Sequence, residues 1–275
     1  MENASEMAIT QMRKSVEKLG SSTEKYKDPT LMRFLIARSM DADKAAKMFV
    51  QWQKWRASFV PNGVISDSEV PDELVGKKVF LQGLSTEGYP LVIVKASKHY
   101  PSKDQLQFKT WLYFLHCLYA SLTSNDQLPD YIICLSFDTE FVVHLLDKAI
   151  ASSIKAREVG NEKLMAILDL QQIGYKNVDA RGLITGFQFL QAYYPERLHK
   201  LYILNMPRFF VSVWKIISRY LEKATLEKIM IVTNDEEARV FVREVGEETL
   251  PEEYGGRAEL VAIQDVTSAF PPLEG

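Results

Sequence analysis

The stretch that decides the fold is residues 193–232, YYPERLHKLYILNMPRFFVSVWKIISRYLEKATLEKIMIV. Two tyrosines and a proline open it, and the apolar run at 201–205 has the length of a buried strand. A second apolar run, at 228–232, has the same character. Between the two runs, residues 208–221 repeat apolar side chains at helical spacing. The stretch therefore predicts two buried strands joined through an amphipathic helix.

The predicted helix 208–221 divides its side chains in an unusual way. At 100° per residue, its polar positions form one narrow stripe that carries three cations and no acid: Arg208, Ser212, Lys215 and Arg219. The apolar positions cover an arc of roughly 160° opposite that stripe. They are Phe209, Phe210, Val213, Trp214, Ile216, Ile217, Tyr220 and Leu221. Such a helix contacts a membrane interface or covers an apolar ligand. Periodicity alone favours the alternative of a core helix with a basic edge, and the surrounding sequence reverses that preference.

Short blocks of sequence on both sides of this helix keep a fixed order along the chain. They are residues 30–38, 88–90, 167–170, 193–197, 205–207, 225–229 and 250–256. In order and composition these blocks resemble the CRAL-TRIO lipid-binding family, and within it the phosphatidylinositol-transfer branch. The resemblance covers most of residues 25–260. It implies an α/β fold in which helix 208–221 gates a lipid pocket.

The resemblance and the local patterns together divide the chain. We expect a helical N-terminal subdomain over residues 1–65, packed on a CRAL-TRIO-like lipid-binding domain over residues 66–275 with a mainly parallel sheet. In the first part, apolar residues recur at helical spacing and predict a buried helix face: Ala45, Met48, Phe49, Trp52 and Trp55. The second part predicts a hairpin at 78–83 and 89–95, a helix capped by Asp179, and strands at 164–170, 201–205, 228–232 and 260–263.

One segment, residues 110–140, departs from the family pattern and looks like an insertion. A capping box at Ser102 and Gln105 predicts a helix before it. Without the segment, residues 104–109 and 141–148 would join into one amphipathic helix. We hypothesise that the segment does not derive from the ancestral fold, for instance because an intron was retained. The alternative is a genuine extra helix and strand.

Composition and charge narrow the class of protein. The chain has 275 residues, 47% apolar content and a net charge of −3, which fits a soluble globular protein and gives no sign of nucleic-acid binding. Two cysteines, Cys117 and Cys134, are too few for a disulfide scaffold and lack metal-ligand spacing. The sequence shows no signal peptide and no apolar run near the ~20 residues that span a bilayer. We expect a cytoplasmic monomer that associates with membranes transiently and peripherally.

The resemblance implies a phosphatidylinositol headgroup site made of Arg38, Glu196, Thr225 and Lys228. A buried phosphate needs charge-assisted donors, which Arg38 supplies as a fork and Lys228 as a point charge. Thr225 can donate one hydroxyl hydrogen bond, and Glu196 can accept hydrogen bonds from inositol hydroxyls. Taken singly, each residue has an ordinary alternative role: a solvated helix residue, a helix-start acid, a cap or a surface lysine. All four matches together favour the headgroup site.

A second ligand is where the sequence departs from the family. Members that also carry phosphatidylcholine place hydroxyl and tyrosyl side chains on the central strand and the opening hairpin. The matching positions here are all apolar: Leu81, Val92, Leu164 and Ala166. A zwitterionic headgroup would lose hydrogen bonds there, at a cost of several kcal/mol. The sequence therefore predicts poor phosphatidylcholine exchange, and a second ligand that is more apolar or absent.

The motifs of covalent chemistry are missing from the sequence. It contains no Gly-x-Ser-x-Gly, P-loop or Gly-x-Gly-x-x-Gly, and its four histidines are scattered. We therefore expect no catalytic residues, no metal and no cofactor. The predicted function is binding and transfer of phosphatidylinositol, with one lipid held in an apolar pocket and exchanged at membrane surfaces. The alternatives are a carrier of another hydrophobic ligand, such as a sterol or isoprenoid, and a lipid hydrolase.

Overall fold

The computed structural model describes residues 2–99, 139–152, 162–178 and 180–266 of the chain. Its α-helices are α1 (Glu2–Lys18), α2 (Asp28–Ala37), α3 (Ala42–Phe59), α4 (Pro71–Val75), α5 (Thr139–Ser152), α6 (Ala180–Tyr193), α7 (Arg208–Ile217), α8 (Lys223–Leu226) and α9 (Asp235–Val245). Its strands are β1 (Val79–Leu84), β2 (Pro90–Lys95), β3 (Leu164–Asp169), β4 (Leu198–Leu204) and β5 (Ile229–Ile231). The predicted α/β class is confirmed. Among the residues described, no helix is long and apolar enough to cross a bilayer.

The first three helices close around an aromatic core of their own. Phe34, Phe49 and Trp52 are buried, with ring centroids 5.1 to 5.7 Å apart. Helix α3 begins where the Asp41 side chain accepts a hydrogen bond from the Lys44 backbone nitrogen at 3.0 Å. Apolar spacing and capping thus agree, and the helices expected before residue 60 are present.

The helical region is joined to the sheet region through aromatic and polar contacts. Trp55, predicted to be buried among the helices, is half-buried and stacks on Tyr193 of α6 with 4.3 Å between ring centroids. Trp55 also meets Phe189 edge-on at 5.5 Å. Arg33, which is buried on α2, donates from Nη1 to the Pro195 carbonyl at 3.3 Å. These contacts hold the loop after α6 against α2 and α3.

The sheet has five strands in the order β1-β2-β3-β4-β5. β1 and β2 form the predicted antiparallel hairpin, whose turn includes Gly88 at a φ of 80°. The strands β2 to β5 are parallel neighbours in chain order. Because parallel crossovers are almost always right-handed, a sheet in this order carries its connecting helices on one face. The opposite face is left for α9.

Alternate strand residues therefore enter different apolar clusters. The α9 core lies on one face and contains Phe80, Leu91, Ile93, Met165, Ile167, Tyr202, Leu204, Phe241, Val245, Leu250 and Ala262, all buried. On the other face, the α7 cluster has four buried members, Leu170, Leu201, Ile203 and Phe210. Its half-buried members come from the strands, α6, α7 and nearby loops. Also on that face, β1 to β3 pack against α5 in a separate, well-buried α5 core that includes Phe141, Ile150 and Phe189.

The boundaries of two predicted elements are wrong. The helix expected over 208–221 ends at Ile217, because the chain tightens into a 3-10 turn, Ser218–Tyr220, and is extended at Leu221 before α8 begins. The strand expected at 260–263 is reduced to a single bridge between Ala262 and Phe80. Its last residue instead starts the 3-10 turn Ile263–Asp265, so a ladder cannot continue.

Some expectations fall outside the described residues. They are the Ser102 and Gln105 capping box, residues 104–109, the Asp179 cap and residues 110–138 of the suspected insertion. The last two residues of that segment, Thr139 and Glu140, are described and form the first turn of α5. Helix α5 includes residues 141–148, as the amphipathic pattern predicts.

Candidate lipid-binding site

Glu196 and Lys228, two of the four predicted headgroup residues, are in direct contact. Lys228 Nζ donates to Glu196 Oε2 at 2.9 Å, and the two side chains are 24% and 15% exposed. Glu196 lies just after α6, and Lys228 immediately precedes β5. A third residue, Lys163, has its Nζ 3.9 Å from the same carboxylate oxygen. Sequence reasoning missed Lys163, which stands just before the central strand with no motif around it.

The backbone at Glu196 is held in an uncommon conformation. Its φ is 57°, in the left-handed region that side chains other than Gly and Asn seldom adopt. Its neighbours on both sides are anchored: the Pro195 carbonyl accepts from Arg33, and Arg197 forms a buried ion pair with Glu162 at 2.6 Å. A strained residue fixed by its surroundings is typical of a functional position.

Arg38 and Thr225 reach the same region through the segment that contains α8. Arg38 ends α2, and its Nη1 lies 3.9 Å from Glu222 Oε1. The Thr225 backbone nitrogen donates to the Glu222 carbonyl at 2.9 Å, and the Lys228 nitrogen donates to the Thr225 carbonyl at 3.0 Å. The short segment from Glu222 to Lys228 thus connects the carboxylate near Arg38 to the lysine that pairs with Glu196. Sequence reasoning missed Glu222, although a carboxylate three residues before Thr225 was a visible signal.

A buried polar network holds the second tyrosine of the 193–197 block. The Tyr194 hydroxyl donates to Asp147 Oδ1 at 2.9 Å, and Arg56 Nη2 donates to Asp147 Oδ2 at 2.5 Å. Burial raises the pKa of Asp147 even though Arg56 favours its charged form. Burial also raises the pKa of Tyr194 well above its ordinary value, so the hydroxyl remains a donor. Through this network, the turn that contains Glu196 is attached to α3 and α5.

Helix α7 and the turn that follows it, residues 218–221, separate their side chains as the periodicity predicts, with one exception. The polar stripe of Arg208, Ser212, Lys215 and Arg219 is exposed. On the apolar arc, Phe210, Ile217 and Leu221 are buried, and Phe209, Val213, Trp214 and Tyr220 are half-buried. The exception is Ile216, which is 52% exposed. At 100° per residue it stands at the edge of the arc next to the cations, so it lies outside the covered side.

The α7 cluster beneath this helix is less completely covered than the rest of the core. Among the described residues it has four buried and fourteen half-buried members, whereas the α9 core has eleven buried and six half-buried. The half-buried positions include Ala166, Leu168, Ile229 and Ile231 of the strands and Trp214 of α7. Under α7, this face of the sheet therefore presents apolar side chains that are incompletely buried.

The positions predicted for a second ligand lie together on the α5 side of the sheet. Leu81 pairs with Val92 across the hairpin, and Val92 pairs with Ala166 across the parallel ladder. Leu164 lies on the same face as Ala166, two residues earlier on β3. Leu81, Val92 and Leu164 are buried in the α5 core, and Ala166 is half-buried where that core meets the α7 cluster.

A surface groove of about 670 Å³ lies elsewhere, on α9. Its lining includes Arg239, Val242, Arg243, Glu247 and Tyr254. Since α9 covers the opposite face of the sheet, the groove is separate from the place where the headgroup residues converge. Its broad opening and exposed arginines do not suit acyl chains.

Comparison with known proteins places this fold and these residues in a family. Residues 74–256, more than half of the chain, match the family profile of the CRAL/TRIO domain. The chain belongs to the CRAL/TRIO domain family. The sequence resemblance on which the site prediction rests is thereby confirmed, and the role of each site residue remains a prediction.

Similar proteins give the family match more detail. The Sec14 cytosolic factor of Schizosaccharomyces pombe is 24% identical over 276 aligned positions, covering 98% of this chain and 88% of that protein. The phosphatidylinositol/phosphatidylcholine transfer protein SFH12 of Arabidopsis thaliana is 29% identical over 240 positions, covering 85% of this chain and 40% of the plant protein. Among solved structures, the crystal structure of Sfh5 superposes with a TM-score of 0.60 at 14% identity, covering 99% of this chain and 94% of that one. At that identity the likeness concerns the fold alone.

Proposed function

We propose that this protein binds one phosphatidylinositol molecule in an apolar pocket and transfers it between membranes. The observation that carries the proposal is the Glu196–Lys228 ion pair, which one short turn of chain connects to Glu222, the partner of Arg38. Lys228 directly precedes Ile229, a member of the incompletely covered α7 cluster. Charged groups suited to an inositol phosphate thus adjoin an apolar face suited to acyl chains. The relatives named for phosphatidylinositol transfer support the same lipid.

The headgroup chemistry follows from the charges. A phosphodiester carries one negative charge, which Arg38 can meet with two parallel donors and Lys228 with a point charge. Glu196 would release Lys228 to the phosphate and accept hydrogen bonds from inositol hydroxyls. Thr225 lies between Glu196 and Lys228 in the sequence and is half-buried, and its hydroxyl would add one donor. A sterol offers no anion for these cations and no set of hydroxyls for Glu196.

The acyl chains explain why exchange would require a membrane. Burying each CH₂ contributes ~0.8 kcal/mol, so two long chains would rarely leave the α7 cluster into water. A bilayer would re-solvate them once α7 moves aside. The exposed cations Arg208, Lys215 and Arg219 would hold the helix at the headgroup level of an anionic leaflet. The protein would thus be soluble and cytoplasmic, acting as a monomer that touches membranes transiently.

Phosphatidylcholine would be a poor second ligand. The positions Leu81, Val92, Leu164 and Ala166 lie together but offer no side-chain hydrogen bond. That apolar lining also supports a second candidate function, a carrier of a sterol or isoprenoid in the same fold. A hydrolase has less support, since two of the four histidines face other partners: His144 faces the Ile65 carbonyl and Asp67, and His199 faces Glu87.

A transfer assay with a variant that lacks both headgroup cations tests the proposal. The double variant Arg38→Ala, Lys228→Ala should lose phosphatidylinositol transfer almost completely, because each change removes a charged donor worth ~1.5–3 kcal/mol. Its matched control is Lys44→Ala, Lys223→Ala, which removes two cations from the same two regions; those side chains are 72% and 92% exposed. Retained transfer by a folded Arg38→Ala, Lys228→Ala protein would refute the headgroup site.

A further inference from the structure

The candidate site contains its own anion for Arg38. In this structure each of the two headgroup cations is paired with a carboxylate of the chain: Lys228 with Glu196, and Arg38 with Glu222. The two carboxylates are held very differently. Glu196 is 15% exposed and 2.9 Å from its lysine, whereas Glu222 is 51% exposed and 3.9 Å from its arginine. The Arg38 pair is therefore the looser of the two.

The backbone of Glu222 is anchored while its side chain is free to move. Its nitrogen donates to Gln191 Oε1 of α6 at 3.2 Å, and its carbonyl accepts from Thr225 and Leu226. Glu222 stands at the N-cap of α8 but forms no side-chain cap with that helix. A capping carboxylate would normally turn back toward the first helical amides. Here the carboxylate approaches Arg38 instead.

We infer that Glu222 is a positioning residue that holds Arg38 before a lipid phosphate arrives and is then displaced by that phosphate. This inference rests on the proposed function and adds a regulatory element to the same site. The carboxylate keeps the guanidinium oriented in the absence of lipid, and it lowers affinity because the phosphate must compete for the same donors. Release at the acceptor membrane is helped, since Glu222 returns to Arg38 as the lipid departs.

The energetic scale sets the size of the expected effect. A half-exposed ion pair is worth about 0.2–1 kcal/mol, so removing the competitor should tighten lipid binding by about 1.4- to fivefold. The effect should shrink as salt rises, because the Debye length falls to ~3 Å at 1 M salt, which is shorter than the 3.9 Å between Arg38 and Glu222. It should also require Arg38, since Glu222 acts through that side chain.

The experiment compares Glu222→Gln with Glu227→Gln. Glu227 is the matched control, a neighbouring glutamate that is 66% exposed and lies 3.9 Å from Lys223. Labelled phosphatidylinositol in phosphatidylcholine vesicles is equilibrated with each protein at low and high salt, and thermal midpoints verify folding. We expect about 1.4- to fivefold tighter uptake by Glu222→Gln at low salt, a smaller gain at high salt, and no gain for Glu227→Gln.

The same substitution in an Arg38→Gln protein tests whether Glu222 changes lipid uptake through Arg38. In Arg38→Gln, adding Glu222→Gln should leave uptake unchanged. A gain that persists there would overturn the inference, because Glu222 would then act through the general field of the site. Equal uptake by wild type and Glu222→Gln would also overturn it while leaving the proposed function intact. Failure of the wild type to take up phosphatidylinositol would overturn the proposed function, and this inference with it.

Discussion

The α9 face of the sheet and the part of the opposite face that lies under α7 differ in how completely they are covered. The α9 core brings Tyr202 and Phe241 together edge-on at 4.8 Å, and both side chains are buried. On the other face, Phe209 of α7 meets Tyr175 at a similar 4.6 Å, but Tyr175 is 81% exposed and Phe209 half-buried. The same strands thus contribute to one fully buried core, under α9, and one partly buried core, under α7.

With the proposed function, the side chains under α9 stabilise the fold and the side chains under α7 contact the lipid, on opposite faces of one sheet. Residues that alternate on each strand contribute to one face or the other, so neither role disturbs its neighbour in sequence. Burial that is complete under α9 stabilises the fold at ~25 cal/mol per Å². Under α7, the surface that the protein leaves half-covered is the surface that a lipid could cover. We therefore expect variants on the two faces to have different consequences.

The largest effect should come from a matched pair of phenylalanines. Phe241→Ala removes a buried ring from the α9 core and should lower the free energy of unfolding by about 3–5 kcal/mol. Phe209→Ala removes a half-buried ring and should cost about 1–2 kcal/mol. Denaturant unfolding measures both, and lipid content per folded molecule should fall only for Phe209→Ala. Equal destabilisation of the two variants would break the comparison between the faces.

The next effect concerns α7 at the membrane. Replacing Lys215 and Arg219 with Glu should slow transfer roughly tenfold or more on anionic vesicles, since each cation near an anionic leaflet is worth about 1 kcal/mol. On neutral vesicles the loss should be smaller, and bound lipid should be retained because both side chains face outward. Phe210→Asp should slow transfer on both kinds of vesicle, because a carboxylate would have to enter the apolar interface.

The control for the charge reversal is Lys14→Glu with Lys18→Glu. These are exposed cations at the same spacing on α1, and the change in net charge is identical. Slower transfer by this control would indicate an effect of total charge rather than of α7. Normal transfer by all of the α7 variants would show that the helix is static and that the lipid enters elsewhere.

The smallest effect should be a gain of phosphatidylcholine transfer. Wild type should transfer this lipid weakly, and Leu164→Ser with Ala166→Thr should raise its transfer a few-fold by supplying hydroxyl donors worth about 1 kcal/mol each. The thermal midpoint is measured beside transfer, because Leu164 is buried. Equal transfer of phosphatidylinositol and phosphatidylcholine by the wild type would contradict this interpretation of the central strand.

Sequence patterns predicted those features that depend on local spacing. Phe210 and Ile217 were expected on the covered side of α7 and are buried, and the hairpin expected at 78–83 and 89–95 is present, with a register shift between Leu81 and Leu84. Periodicity could not tell that Ile216 would be exposed, because its angular position is at the border between two faces. Nor could it place the end of α7 at Ile217, which depends on the turn that leads to α8.

The polar site was predicted less completely. The resemblance supplied Glu196 and Lys228, and the structure places them in contact. Glu222 was missed because a glutamate before a short helix has an ordinary explanation as a cap, and its approach to Arg38 depends on the distant helix α2. Contacts between residues far apart in sequence are fixed by packing, as at Arg33 and Pro195, and leave no trace in local spacing.

The central claim is that one inositol phospholipid occupies the partial core under α7. Native mass spectrometry of the purified protein tests it most directly, because a bound lipid is weighed with its carrier. We expect one added mass that fragments to a phosphatidylinositol, absent from the Arg38→Ala, Lys228→Ala variant and present in the Lys44→Ala, Lys223→Ala control. A sterol or isoprenoid mass in the wild type, unchanged in the double variant, would contradict it.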